Sequence, residues 1–144
     1  MKINISKLHE NFKLEVKNAG SSDEEINTIR TIFSGKEIPE EYLCFISQVS
    51  EAEILVQGKS YIRIWGAEGC IEMNESYHIQ KYIPNAIAIG DDEGGQVIFY
   101  ATGDDGYGLY KVGFGNLDIE DAVFISNSLY DLLMKGNGTD NLSP

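Results

Sequence analysis

Apolar and polar positions alternate in blocks between Pro84 and Phe114, which read PNAIAIG, DDEGG, QVIFYAT, GDDGYG and LYKVGF. Three short apolar runs separated by two turns rich in glycine and acid predict a three-stranded antiparallel meander. Upstream, Phe12, Leu14 and Val16 alternate with Lys13, Glu15 and Lys17, the period of a short half-buried strand, and Asn18-Ala19-Gly20 closes it. The rhythm then lengthens to three and four residues. Ile26, Ile29, Ile32 and Phe33 form one helical face behind a Ser22-Asp23-Glu24-Glu25 capping box, and Gly35 is placed for a left-handed end. A second helix opens at Ile38-Pro39-Glu40-Glu41 and carries Tyr42, Phe45, Ile46 and Val49 on one side, with Cys44 near its edge.

Strand patterns return at Glu53–Val56 and Ser60–Trp65 around Gln57-Gly58-Lys59, a β-hairpin in which Ile62 and Ile64 face one way and Tyr61, Arg63 and Trp65 the other. Residues 67–78 form a less amphipathic helix with Ala67, Cys70, Ile71, Tyr77 and His78 on one side. Pro84 then forces an extended exit. After the meander, residues 121–125 add a strand, Ser126 or Asn127 caps a last helix with Leu129, Leu132, Leu133 and Met134, and Gly136 ends it. The tail from Asn137 to Pro144 is poor in apolar residues and is expected to be disordered. The sequence therefore divides into residues 1–21 as an N-terminal extension with a short strand, 22–135 as one α+β domain, and 136–144 as tail.

Length and charge narrow the function classes. A chain of 144 residues fits one domain, which buries roughly 70% of the surface exposed when unfolded. The net charge of −12 opposes nucleic-acid binding, which depends on Lys and Arg neutralising phosphates, and leaves a basic partner or simple solubility as its role. Only two cysteines occur and no apolar stretch follows Met1-Lys2-Ile3-Asn4, so reduced thiols and a cytoplasmic location are expected. No apolar run approaches membrane-spanning length.

The acidic turns raise a metal hypothesis, with Asp91, Asp92 and Glu93 in one and Asp104 and Asp105 in the other. Counting as in a calcium loop puts Gln96 or Leu109 where glycine is required. The turns also lie at opposite ends of one strand, on the order of 20 Å apart, too far to share an ion. Gly106-Tyr107-Gly108 lies between strands, which is wrong for a phosphate loop. Cys44 or Cys70 could pair with His78 for nucleophilic catalysis, although cysteine is more often a small buried hydrophobe, and no G-x-S-x-G occurs. Tyr61, Trp65, Tyr100, Tyr107 and Tyr110 lie in or beside strands. They are either packing residues or a protein-binding patch bordered by acids.

Ile38-Pro39-Glu40-Glu41-Tyr42-Leu43-Cys44-Phe45-Ile46 resembles the proline, acid, tyrosine and apolar-helix motif of the SUKH superfamily. Trp65 after a strand, a helix with Asn74 and Tyr77, and Ile87-Ala88-Ile89-Gly90-Asp91-Asp92-Glu93-Gly94-Gly95 entering a strand resemble the family's middle and its isoleucine-glycine-acid, glycine-glycine signature. The resemblance covers about residues 22–135. It departs at Ser50-Glu51, where the family commonly has Asn-Gly after the second helix.

The resemblance implies an α+β fold with a mainly antiparallel, curved central sheet flanked by helices. It also implies no bound cofactor and, for bacterial members, an immunity protein that neutralises a cognate toxin, often a nuclease, by occlusion. A regulatory or scaffolding module is the second expectation and a small hydrolase or metal enzyme the third. Expected partner contacts are Asp91, Asp92, Glu93, Asp104, Asp105 and Tyr107, with Trp65 as an anchor, on a monomer or weak homodimer. Because the resemblance makes the first acidic turn a signature of the fold, Gly103–Gly108 is the freer place for partner contact.

Overall fold

The alternations resolve into seven strands and five α-helices in the computed structural model, which describes residues 2–142. In chain order these are β1 (Phe12–Asn18), α1 (Asp23–Ile32), α2 (Glu40–Gln48), β2 (Ser50–Val56), β3 (Ser60–Ile64), α3 (Ala67–Ser76), α4 (Ile79–Tyr82), β4 (Ile87–Asp91), β5 (Gln96–Gly103), β6 (Gly106–Gly113), β7 (Val123–Ser126) and α5 (Leu129–Lys135). All seven strands form one open sheet whose spatial order follows the chain, each strand antiparallel to its neighbours. The fold is a single α+β domain, as the sequence pattern and the resemblance predict.

The two apolar rhythms in the strands follow from how many faces of the sheet are covered. In β2 and β3 only the face carrying Ala52, Ile54, Val56, Ile62 and Ile64 is buried, so apolar and polar residues alternate. Against that face pack Tyr42, Phe45 and Ile46 of α2, Ile26 and Ile29 of α1, and Leu129, Leu132 and Leu133 of α5. Strands β4 to β6 are covered on both sides, which is why Ile87-Ala88-Ile89 and Val97-Ile98-Phe99-Tyr100 read as unbroken apolar runs. Their second face holds Ala88, Val97, Phe99, Tyr110 and Val112 beneath Ile79 and Ile83, with Trp65 in the same cluster. Each large side chain fully buried here contributes about 1.5–3 kcal/mol.

The sheet is continuous but thin at one seam. β3 and β4 share only the pairs Arg63 with Asp91 and Ile64 with Gly90, and Trp65 N–H adds a bond to the Ile89 carbonyl (2.8 Å). Beyond that point the chain leaves into α3, and the edge of β4 is completed by a side chain. Asn74 donates from Nδ2 to the Ala88 carbonyl (2.9 Å) and accepts at Oδ1 from the Ala88 N–H (3.0 Å), acting as a surrogate strand. Gly90 is required at the seam because a Cβ there would fall on the Arg63 carbonyl oxygen.

Local signals hold where they rest on neighbouring residues. The Ser22–Glu25 capping box forms in both directions, and Gln57 and Gly58 both take positive φ, as a tight hairpin turn demands. Gly35 and Gly136 are left-handed, the latter ending α5. Other details shift. Ile32 is 51% exposed, because α1 ends there and the chain turns through Phe33, which is buried instead. The helix expected over 67–78 breaks at His78, whose φ of 54° starts the separate α4, and Tyr77 and His78 are exposed. The cap of α5 is Ser128, since Ser126 is still paired with Leu109 in the sheet.

The tail expected to be disordered is instead docked up to Leu142. A short 3-10 turn, Thr139–Leu142, buries Leu142, and Asn141 Nδ2 donates to the Ile125 carbonyl (3.1 Å), covering the outer edge of β7. The remaining two positions of that stretch, 143 and 144, lie outside the described residues.

At the junction of α2 and β2, where the resemblance lacks its Asn-Gly, Glu51 adopts the left-handed φ of 47°. The backbone conformation is the one glycine would favour, at a cost of about 1–2 kcal/mol for a side chain. Glu51 offsets part of this by accepting the Gly66 N–H (2.5 Å), one of the free donors at the start of α3.

Candidate functional site

The signature turn between β4 and β5 uses its carboxylates internally. Asp91 is only 8% exposed and accepts the Trp65 indole N–H at Oδ2 (2.8 Å) and the Glu93 N–H at Oδ1 (2.8 Å). Asp92 accepts from the Gly94 and Gln96 amides (2.8 and 2.9 Å), and Glu93 pairs with Arg63 (3.3 Å). Trp65 is 2% exposed, so the expected surface anchor is a core residue tied to the first turn.

The β5–β6 turn differs. Asp104 and Asp105 are exposed at the hairpin tip, and among the described residues no hydrogen bond or ion pair engages either carboxylate. Tyr107, just beyond, is 39% exposed and stacks on the buried Tyr100, with ring centroids 5.9 Å apart and planes 20° from parallel. The expected partner residues thus fall into two groups at opposite ends of β5, one built into the fold and one free.

Tyr107 also forms a wall of a groove of about 810 Å³ that runs between the α1–α2 connection, α2 and the β5–β6 hairpin. Its floor includes Ile38, Pro39 and Leu43, and its rim carries Glu37 and Glu41. Burial pushes the Tyr107 phenol up to about 12, with the negative charges of Glu37 and then Glu41 adding to it. The Glu41 carboxylate accepts the Tyr100 hydroxyl and the Leu129 N–H (2.8 Å), joining α2, β5 and the first turn of α5. Burial foremost, then Glu41, keeps the Tyr100 phenol protonated well above its ordinary range.

A family model described as the SMI1 / KNR4 family (SUKH-1) matches residues 20–135. The chain belongs to this family. No curated protein matches the sequence. The family is one of immunity proteins, and membership accounts for the signature turn, whose glycine and acids are needed to join β3, β4 and Trp65. Glu37 carries no signal in the sequence, and Glu41 shows none for a place in the groove. The acids at 40 and 41 are legible as a helix start, but the partners of Glu41 lie 59 and 88 positions away.

The alternative chemistry finds little support in the geometry. Cys70 is fully buried and its thiol is pushed up to about 12 by burial, so it is not a ready nucleophile. Cys44 is partly exposed in the groove, His78 lies on the exposed α3–α4 junction, and no hydrogen bond joins His78 to either cysteine among the described residues. No group of three metal-ligating side chains assembles among those residues. No helix among them is long and apolar enough to cross a membrane.

Proposed function

We propose that this SUKH-1 protein is a cytoplasmic immunity protein that binds a toxin with a basic surface and neutralises it by stoichiometric occlusion. The toxin class that fits best is a nuclease, whose phosphate-binding cleft is basic. One observation carries the reading. In a family of immunity proteins, a chain of net charge −12 presents Asp104 and Asp105 at a hairpin tip with both carboxylates unengaged among the described residues. Such a tip steers toward a cationic cleft and repels the polyanion that would compete for it.

The test identifies the adjoining open reading frame and, where it encodes a toxin domain, pairs the chain with it. Co-expression should restore growth. Asp104→Lys with Asp105→Lys should slow association about tenfold at low salt, with the difference shrinking as salt rises. Failure of the wild-type chain to protect would overturn the immunity reading, and unchanged association by the double variant would remove this turn from the interface.

A further inference from the structure

The groove beside the hairpin has an uncommon division of labour among its charges. Two cations line it, Lys2 and Arg30. Arg30 is already held by Glu40 through two bonds, Nη1 to Oε2 and Nη2 to Oε1 (2.9 and 3.0 Å). Glu41 is committed to Tyr100 and Leu129. Glu37 has no hydrogen bond or ion pair among the described residues and lines the same groove as the Tyr107 ring. The result is a half-exposed aromatic wall, backed by a second tyrosine, beside an unpaired carboxylate and above an apolar floor.

That combination selects its occupant. An apolar segment would strip water from Glu37 without replacing it, and a polyanion would meet repulsion from the rim. A guanidinium satisfies both walls, since it stacks on an aromatic face and offers planar donors to a carboxylate. At about 810 Å³ the groove also admits the backbone that carries such a side chain. We propose that the groove receives an arginine on a projecting segment of the protein partner, stacked on Tyr107 and paired with Glu37. The identity of that partner rests on the immunity reading; the chemistry of the groove does not.

The test uses the full chain and two capped pentapeptides, one with a central arginine and one with citrulline, which keeps the shape and loses the charge. In amide nuclear magnetic resonance titrations the arginine peptide should shift resonances near Glu37, Tyr107 and Leu129, and the citrulline peptide should not. Glu37→Gln and Tyr107→Ala should each weaken binding about three- to tenfold. Glu72→Gln makes the same charge change on exposed α3 and should weaken it less than about twofold. Shifts spread equally over the first acidic turn, equal binding of citrulline, or equal effects of Glu37→Gln and Glu72→Gln would each overturn the proposal. Full protection against toxin by the Glu37→Gln, Tyr107→Ala double variant would do the same. A chain that gives no protection in any form defeats the immunity reading instead, whatever the peptide titration returns.

Discussion

Replacing Asn74 with alanine removes a side chain that is 2% exposed and uses both of its polar atoms twice. Nδ2 donates to the Cys70 and Ala88 carbonyls (2.7 and 2.9 Å), and Oδ1 accepts from Gln80 Nε2 and the Ala88 N–H (2.9 and 3.0 Å). Gln80 is partly exposed and can turn to water, and the Cys70 and Ala88 carbonyls keep other partners, so most of the loss falls on the Ala88 amide. An amide left unpaired in the interior costs about 1–3 kcal/mol, and the lost bonds add about 0.5–1.5 kcal/mol each where nothing replaces them. Together these give about 3–5 kcal/mol, a large share of the 5–15 kcal/mol typical of a domain. Urea unfolding followed by circular dichroism should show a midpoint lowered by about 2 M. Asn74→Asp supplies the control, since its carboxylate still accepts from Ala88 N–H but faces the Ala88 carbonyl oxygen. It should be destabilised more at neutral pH than at a pH where the acid is protonated. An alanine variant within about 1 kcal/mol of wild type would refute the surrogate-strand role.

Other perturbations probe the rest of the frame. Asp91→Ala should cost about 2–3 kcal/mol by stranding the Trp65 indole and the Glu93 amide, whereas Asp91→Asn keeps one acceptor and strands one of the two donors, so it should cost less than alanine, about 1–2 kcal/mol. Unfolding followed by the emission of Trp65, the single tryptophan, reads both, and a surface-like effect within about 0.5 kcal/mol for alanine would sink the assignment. The Glu51 carboxyl is raised by burial, partly countered by the Gly66 N–H and Arg63. Between the ordinary glutamate range and the raised one, the folded state holds a proton the unfolded state has lost. This contribution is therefore present at acid pH and lost as pH rises through that window. Glu51→Gln keeps an acceptor for Gly66 and should flatten the decline, giving a higher melting temperature than wild type at neutral pH; parallel pH profiles would contradict this. Asp104→Lys with Asp105→Lys should leave the melting temperature nearly unchanged while association slows, because neither carboxylate has a hydrogen bond or ion pair among the described residues.

What the sequence made legible was local. The capping box at Ser22, the turn at Gln57-Gly58 and the left-handed Gly136 depend on residues within one turn of each other, and each forms where its pattern predicts. Trp65 lies on the expected side of β3, but only tertiary packing reveals that Ile79 and Ile83 help to cover that side. The acids of Asp91-Asp92-Glu93 read as surface charge because composition does not show which carboxylates accept backbone amides. The tail carries too few apolar residues to predict order, yet one buried leucine and a side-chain bond to the β7 edge help to dock it up to Leu142. The groove was illegible for a related reason. It is assembled from α1, α2 and the β5–β6 hairpin, which no spacing rule joins.

The seam between β3 and β4 bears on how the molecule opens. Since the strands lie in chain order, a break there divides the polypeptide as well as the sheet, into one contiguous unit before α3 and another after it. Regions joined by few bonds tend to open as separate cooperative units, whose amide hydrogens exchange with different free energies. Glu41, reaching from the first unit to Tyr100 and Leu129 in the second, fastens across that divide away from the seam, as do Lys36 on the Pro84 carbonyl and the His9 N–H on the Leu133 carbonyl. A partner seated in the groove would touch both units at once, so occupancy would slow hydrogen exchange across the whole sheet rather than only beneath the contact.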